Sequence, residues 1–184
     1  MVVSPPNMGK DWDELNLCSL IKTFNNVPVS ITNDANAAAL GEKYYGVAKS
    51  MNDVVVITLG SGLGSGIIVN NNMVYGHDGF AGELGHLSID PEGRKCGCGR
   101  RGCLEMYVSA KGLNYTAREY RQEYPDNKFL QSIDAQNVDG KLFDDAFDDG
   151  EKIVIDIYKY TGHMLGIGLA QIATILSPEA FVFY

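Results

Sequence analysis

The segment VVVITLGSGLGSGIIV, residues 54–69, decides the fold of this chain. Its first six positions are all apolar or β-branched, which predicts a strand buried on both faces. The glycine-rich run 60–66 then predicts a turn, and the β-branched residues 67–69 predict a second strand. Three asparagines at 70–72 predict a tight turn that leads into a hairpin. The segment therefore indicates a sheet built around a strand–glycine turn–strand unit.

Helix and strand patterns alternate on either side of this unit, which indicates an α/β domain. Asp34 begins an alanine-rich helix over 35–45, and Gly46 is the residue type expected just past a helix C-terminus. The other predicted elements are a loop at 5–7, helices at 13–25, 109–122 and 151–176, strands at 27–32, 73–75 and 181–183, and mostly loop at 76–102.

Length, composition and charge restrict the class of protein. The 184 residues include 45% hydrophobic and 21% charged side chains, as expected for one globular domain. The net charge of −8 argues against nucleic-acid binding through this chain, because such a surface must neutralise phosphates. No apolar run approaches the ~20 residues that span a membrane, and the N-terminal segment lacks a signal-peptide pattern. We therefore expect a cytoplasmic protein that does not enter a membrane.

Three of the four cysteines lie close together in the pattern C-x-C-x4-C: Cys96, Cys98 and Cys103. Three thiolates in a short glycine-rich loop need a fourth ligand to complete a tetrahedral zinc site. His86 is the natural candidate, and His77 is a more distant competitor. This pattern predicts a structural zinc loop over about 86–103. The alternative is a reduced cluster without a metal, or one disulfide with a thiol left over.

The glycine run differs from the common phosphate loops of α/β proteins. It joins two strands, whereas a dinucleotide-binding loop opens a helix, and it lacks the lysine of a P-loop. Its backbone N–H groups are still able to face an anion, with Ser61 as an additional donor. Taken alone, such a run is more typical of a tight turn than of a phosphate site.

Three acidic residues are candidates for acid–base or binding chemistry: Asp34, Glu83 and Glu105. Asp34 lies between a predicted strand and a helix, where α/β folds gather ligands, although its position also suits a helix cap. Glu83 lies three residues before His86 and Glu105 two after Cys103, so a metal loop would bring both to one place. The simpler alternatives are solvated carboxylates and, for Glu105, a favourable charge at a helix N-terminus.

Together these motifs resemble the signature of the ROK family of bacterial repressors, open reading frames and sugar kinases. The resemblance spans essentially the whole chain. It rests on Asn-Asp-Ala-Asn-Ala-Ala-Ala-Leu-Gly-Glu at 33–42, Leu-x2-Gly-Leu-Gly-x-Gly-Ile at 59–67 followed by Gly-x2-Gly-His at 82–86, and Cys-Gly-Cys-Gly-x2-Gly-Cys-x-Glu at 96–105. The fold implied is the actin-like, ribonuclease H-like ATPase architecture, in which two α/β lobes hold ATP and sugar in a cleft.

The resemblance also implies a function, namely ATP-dependent phosphorylation of a hexose by a glucokinase-like enzyme. Asp34 would be the catalytic general base that takes the proton from the sugar hydroxyl. His86 would hold zinc through one ring nitrogen and sugar through the other, and Mg²⁺ would assist phosphoryl transfer. A homo-oligomer, dimer or tetramer, is expected from the family. The remaining roles are sugar contacts for Asn33, Glu83, His86 and Glu105, and a phosphate loop formed by Gly60, Ser61, Gly62 and Gly64.

The chain departs from the family pattern at both ends. The opening Asp-x-Gly-Gly-Thr motif that contacts ATP phosphates is absent from the sequence, as is the glycine cluster that holds adenosine after the last strand. We therefore expect 1–184 to be a fragment, mainly the C-terminal lobe, that is inactive by itself. The main alternative is a sugar-sensing ROK repressor whose DNA-binding domain lies outside this chain. A zinc-bearing module that only binds a partner would leave Asp34, the glycine run and Glu105 unexplained.

Overall fold

The computed structural model describes residues 15–24, 27–134 and 139–184, so the loop predicted at 5–7 lies outside the described residues. The chain divides into two compact units, Met1–Asn33 and Asp34–Tyr184. Each unit is defined by the contacts among its own residues and is described separately.

The described part of the first unit contains one helix, α1 (Leu17–Lys22), which falls within the predicted helix at 13–25. The helix begins after Asn16, whose side chain accepts the Ser19 N–H at 3.0 Å. The strand predicted at 27–32 is wrong, because these residues form no regular element. The Val27 and Ile31 side chains there are exposed, and β-branched residues favour strands only where a neighbouring strand and a buried face support them.

The second unit is built on a four-stranded sheet with the strand order β3-β2-β1-β4. β1 (Val54–Leu59), β2 (Leu63–Val69) and β3 (Asn72–Met73) form an antiparallel meander, and β4 (Ala180–Phe183) pairs parallel to β1. The first four residues of β1 are at most 1% exposed, which confirms the prediction of a strand buried on both faces. The two asparagines between β2 and β3 have φ of 50° and 64°, as a two-residue hairpin turn of this hand requires.

Six helices of the second unit are described: α2 (Asp34–Tyr45), α3 (Glu105–Val108), α4 (Ala110–Glu123), α5 (Lys128–Ser132), α6 (Gly140–Asp148) and α7 (Lys152–Leu176), with a 3-10 helix at Leu84–His86. The three helices predicted in this region correspond to α2, α4 and α7 within one residue at each end. The prediction lacks α3, α5 and α6, which have only four, five and nine residues; α5 and α6 begin at side-chain caps, whereas α3 has none. Asn127, for example, accepts the Leu130 N–H at 2.9 Å to start α5. Among the described helices, none is both long and apolar enough to cross a bilayer.

Small residues let α2 lie directly against β2. Gly64 and Gly66 share one face of the strand, and Ala35 and Ala39 share one face of the helix. A Cβ atom on Gly66 would lie 2.4 Å from the Ala39 Cβ, and one on Gly64 would lie 2.9 Å from the Ala35 Cβ. The close approach of helix and strand therefore requires glycine at both positions. Only residues 60–62 form the turn, which is shorter than the predicted turn over 60–66.

The main apolar core lies between the sheet and the helices α3 and α7, and it fixes the start of α3. Val55 and Ile57 of β1 belong to one buried cluster with Leu104 and Met106. A Cβ atom on Gly168 of α7 would lie 2.6 Å from Leu104 Cδ2, so α7 passes very close to the residue before α3. The flanking residues 103 and 105 are thereby held beside the sheet.

Candidate active site and metal cluster

A cleft of about 560 Å³ opens at the C-terminal end of β1. Its wall brings together Asp34 at the start of α2, the turn at 60–62 and Glu105 at the start of α3. Three parts of the chain that are far apart in sequence thus meet at the end of a buried strand, where α/β folds commonly bind ligands. The other lining residues are Ala35, Ala38, Thr58, Leu59, Leu63, Gly64 and Tyr184.

The turn at 60–62 is held by backbone hydrogen bonds from both sides. The Gly60 N–H donates to the Gly62 carbonyl at 3.0 Å, and the Gly60 carbonyl accepts the N–H of Ala110, the first residue of α4, at 2.9 Å. A Cβ atom on Gly62 would lie 3.2 Å from Glu105 Oε2. Exposed Ser61 is therefore the one residue of this turn that presents a side chain to a ligand in the cleft.

Asp34 is exposed at the first position of α2, beside the cleft. Its Oδ1 accepts the N–H of the next residue, Ala35, at 2.9 Å. A capping side chain normally bonds the N–H groups two or three positions further on, so this contact is more local than the cap that the sequence suggests. Asn33 immediately precedes Asp34 and ends the first unit.

The four predicted metal ligands lie together. One ligand atom from each of His86, Cys96, Cys98 and Cys103 lies within 4.8 Å of all the others. The Cys98 and Cys103 sulfurs are 3.6 Å apart, and His86 Nδ1 lies 3.6 Å from the Cys96 sulfur. Tetrahedral Zn–S bonds of about 2.3 Å separate two sulfurs by roughly 3.8 Å, so these side chains fit a zinc ion. Of the described histidines, His86 belongs to this cluster and His77 does not.

The three thiols of the cluster are free, and their surroundings give them different pKa values. Burial raises the pKa of Cys96, and it raises the pKa of Cys103 to about 12. Cys98 is exposed, and the backbone N–H of Arg100 beside its sulfur lowers the pKa of Cys98 to about 6. Cys98 is therefore the thiol of the three that loses its proton most readily, and a bound metal would displace protons from the other two.

Glu105 lies between the cysteine–histidine cluster and the cleft. The Cys96 thiol donates to Glu105 Oε1 at 3.3 Å, and His86 Nδ1 lies 3.7 Å from the same oxygen. The other oxygen, Oε2, faces Gly62. Glu83 is exposed at the start of the 3-10 helix and is not among the residues that line the cleft. The structure thus brings Glu105 and His86 together, and Glu83 lies directly before the 3-10 helix that ends at His86.

Arg94 is an important residue of this region that pattern reasoning misses. It lies two positions before Cys96, and a lone arginine in a loop is usually a solvated surface residue. In the structure its side chain is only 8% exposed and pairs with Glu119 of α4. The sequence signal that points to it is its place inside the metal loop.

Comparison with known proteins identifies the chain. The sequence model of the ROK family matches residues 1–184. The chain belongs to the ROK family. This ROK protein is 36% identical over 181 residues to a glucokinase from Streptomyces coelicolor, and the aligned segment covers 96% of the chain and 56% of the glucokinase. It is 37% identical over 183 residues to a xylose repressor from Bacillus spizizenii, and this aligned segment covers 98% of the chain and 43% of the repressor.

A solved structure supports the same assignment of the ROK chain. The crystal structure of a ROK family glucokinase from Streptomyces griseus in complex with glucose and AMPPNP superposes with a TM-score of 0.81 at 36% identity, over 94% of this chain and 57% of the glucokinase. The mixed α/β fold predicted from the sequence is therefore confirmed as similar to that of a ROK glucokinase. This ROK chain spans about half the length of the curated relatives it matches.

Proposed function

We propose that the full-length protein is an ATP-dependent hexose kinase of the glucokinase type. The observation that carries the proposal is the cleft at the end of β1, in which the Asp34 carboxylate, the turn at 60–62 and Glu105 meet. The proposal assigns a proton acceptor, a phosphate-facing backbone and a sugar-binding carboxylate to three walls of one cleft. The glucose and AMPPNP of the Streptomyces griseus glucokinase support this choice of ligands.

Asp34 acts as the general base in this proposal. Its exposed carboxylate takes the proton of the sugar hydroxyl as that oxygen attacks the terminal phosphorus of ATP, and the bond from this phosphorus to the bridging oxygen breaks to release ADP. A positioned carboxylate base contributes typically 10²–10⁴-fold to a rate, and alignment of the two substrates supplies much of the rest. Among the described residues, the Ala35 N–H bonds the Asp34 carboxylate at Oδ1, and the proposal directs the other oxygen, Oδ2, at the sugar.

The phosphates of ATP lie against the glycine turn, with Gly60, Ser61, Gly62 and Gly64 as the contacting residues. Two features support this placement. The turn is fixed by its bond to Ala110 N–H, and it carries only one side chain, so a charged group is able to approach its backbone closely. Mg²⁺ accompanies the nucleotide and offsets the charge of the transferred phosphoryl group.

The remaining hydroxyls of the sugar are held by Asn33, Glu83, His86 and Glu105. Support is strongest for Glu105, which lines the cleft, and for His86, whose Nδ1 lies 3.7 Å from Glu105 Oε1. Since His86 Nδ1 faces the cysteines, its Nε2 is the nitrogen available to a sugar. Asn33 is adjacent to Asp34 in the chain, and Glu83 begins the 3-10 helix that carries His86.

A structural zinc ion completes the proposed site. His86, Cys96, Cys98 and Cys103 hold it, in the loop 86–103, and the fit of their ligand atoms to a tetrahedral site supports this assignment. With all four positions filled by protein, zinc serves to orient His86 and Glu105 and takes no part in the reaction. Free thiols of this kind persist in the reducing cytoplasm, which we propose as the location.

The proposal concerns the whole protein, in which 1–184 forms one ROK-type kinase domain segment of a homo-oligomer. The experiment that tests it is a hexose panel with ATP on the full-length gene product, with glucose, fructose, mannose and N-acetylated hexosamines as acceptors. We expect ATP-dependent phosphorylation of at least one sugar. Sugar binding without turnover on every member of the panel would refute the kinase assignment.

A sugar-responsive transcriptional repressor is the second candidate function. The observation that favours it is the 37% identity to the Bacillus spizizenii xylose repressor, which is as high as the identity to the glucokinases. A helix-turn-helix encoded upstream, together with sugar-dependent DNA binding and no phosphorylation, would support this candidate. An Asp-x-Gly-Gly-Thr motif encoded upstream without a helix-turn-helix would support the kinase.

A further inference from the structure

We propose that Arg94 is a positioning residue for the metal cluster, which ties the loop carrying Cys96 and Cys103 to helices α3 and α4 and so holds both thiols at metal-binding spacing. The inference rests on the proposed zinc site and is independent of whether the protein is a kinase or a repressor. Arg94 itself lies outside the set of ligands.

The Arg94 guanidinium is buried and hydrogen-bonded on every nitrogen. Nε donates to Glu119 Oε1 at 3.0 Å, and Nη2 donates to Glu119 Oε2 and to Thr116 Oγ1, the latter at 2.9 Å. Nη1 donates to the carbonyls of Met106 at 2.7 Å and Gly112 at 3.2 Å. All of these acceptors belong to α3 or α4. The planar fork of an arginine suits such a set, because it holds several donors in fixed directions.

The backbone of Arg94 connects the same residue to the cysteine loop. Its carbonyl accepts the N–H of Gly102, the residue before Cys103, at 2.8 Å. Its own N–H donates to the Tyr107 hydroxyl at 3.0 Å. Two residues further along the chain is Cys96, whose N–H donates to the Arg100 carbonyl at 2.9 Å. One residue therefore links both buried thiols to the helical frame.

The metal loop contains few buried apolar side chains, so polar contacts order most of it, including the bond from the Ile89 N–H to the Gly102 carbonyl at 2.8 Å. Between 88 and 102 the only buried hydrophobic residue is Cys96, and the loop contains four glycines. A segment with few buried apolar contacts has low local stability unless polar contacts or a metal hold it. If Arg94 did not fix the loop, metal binding would have to supply the free energy of ordering it, and the apparent metal affinity would fall.

The test measures metal binding in the full-length protein carrying Arg94→Lys. Lysine keeps the charge but cannot reach the Glu119 carboxylate, Thr116 and two carbonyls together. Arg101→Lys is the matched control, because Arg101 is exposed and lies between Cys98 and Cys103. Among the described residues its side chain makes one hydrogen bond, to the Gly93 carbonyl at 2.9 Å. Zinc affinity is measured by competition with a chromophoric chelator, and the cobalt(II)–thiolate absorption band reports ligand geometry.

We expect Arg94→Lys to weaken zinc binding about 10- to 100-fold and to alter the cobalt band, with the control within about twofold of wild type. Should Arg94→Lys fail to fold, Glu119→Gln removes one charge of the same contact at a half-exposed site and is expected to shift zinc affinity in the same direction by a smaller factor.

Two other outcomes overturn the inference in distinguishable ways. If the wild-type protein binds neither zinc nor cobalt, the metal site itself is refuted. In the second outcome the wild type binds metal, and Arg94→Lys or Glu119→Gln binds it equally well. If the substitution also lowers the melting temperature by the same amount in metal-free and zinc-loaded protein, Arg94 only stabilises the fold.

Discussion

The substitution Asp34→Asn in the full-length protein separates a general base from a carboxylate that merely begins a helix. Asparagine retains Oδ1, so the 2.9 Å bond from Ala35 N–H is preserved. Asparagine and aspartate are about equally favourable at a helix N-terminus, and the exposed side chain buries no charge. We therefore expect the free energy of unfolding to change by less than about 1 kcal/mol.

The effect on turnover is much larger if Asp34 is the base. The amide cannot accept the proton of the sugar hydroxyl, so kcat is expected to fall at least ~100-fold, which corresponds to about 2.7 kcal/mol in the activation free energy. The KM for the sugar is expected to stay close to wild type, because Glu105 and His86 still bind the ring. A selective loss of kcat is the signature of an interaction made only in the transition state.

The assay is coupled ATP turnover with saturating sugar, together with one thermal melt for each variant. Glu42→Gln is the matched control: it makes the same carboxylate-to-amide change near the other end of α2, where Glu42 Oε2 accepts the Val47 N–H at 3.0 Å. An Asp34→Asn enzyme that turns over at nearly the wild-type rate would refute the reasoning. If Glu42→Gln lost kcat to the same extent, the fall of kcat in Asp34→Asn would be due to the lost negative charge on α2 and not to a lost base.

Three further predictions concern the metal, the packing and the pH dependence. Wild-type protein is expected to contain about one zinc per chain by elemental analysis and Cys98→Ser far less, and zinc-free wild type prepared without chelator would contradict this. Gly66→Ala places a Cβ 2.4 Å from that of Ala39 and should cost about 1–3 kcal/mol in urea unfolding, partly restored by adding Ala39→Gly. Burial and the bond to Asp144 raise the pKa of Tyr158, so the native state keeps a proton that the unfolded state loses above about pH 10. The free energy of unfolding should therefore decline as the pH rises above 10, and it should decline less steeply in Tyr158→Phe. Identical slopes in the wild type and the variant would contradict this prediction.

The elements predicted well from sequence are those whose pattern is determined by their own residues. β1 is apolar along its length, and α2 and α7 have long helical patterns with clear ends, so the structure reproduces all three. The residues at 27–32 show the limit of this reasoning, because a β-branched run forms a strand only when tertiary contacts supply a partner. Short helices such as α5 depend on a single cap and have too few residues for a periodic pattern.

The candidate site was predictable in its ligands and only partly in its geometry. Cysteine spacing predicts the three thiols that the structure brings together with His86, since the pattern itself contains ligand types of a zinc site. The glycine run has two roles: residues 60–62 form a turn, and Gly64 and Gly66 make room for α2 against β2. The second role depends on a contact between distant parts of the chain, which no local pattern contains. Arg94 illustrates the same point, because its burial follows from acceptors on α3 and α4 that come together only in the folded chain.

The parallel pairing of β1 with β4 has a consequence for how the chain folds during synthesis. The backbone groups of Asp53 and Glu179 that close this pairing are 126 positions apart, whereas the β1–β2 hairpin is local. At about 5–20 residues per second, a ribosome needs roughly 6–25 s to deliver the second strand after the first. Throughout that time one edge of the most apolar strand has unpaired backbone groups, which are a template for intermolecular pairing. A chaperone that covers this edge while the rest of the chain is made should therefore raise the yield of folded protein.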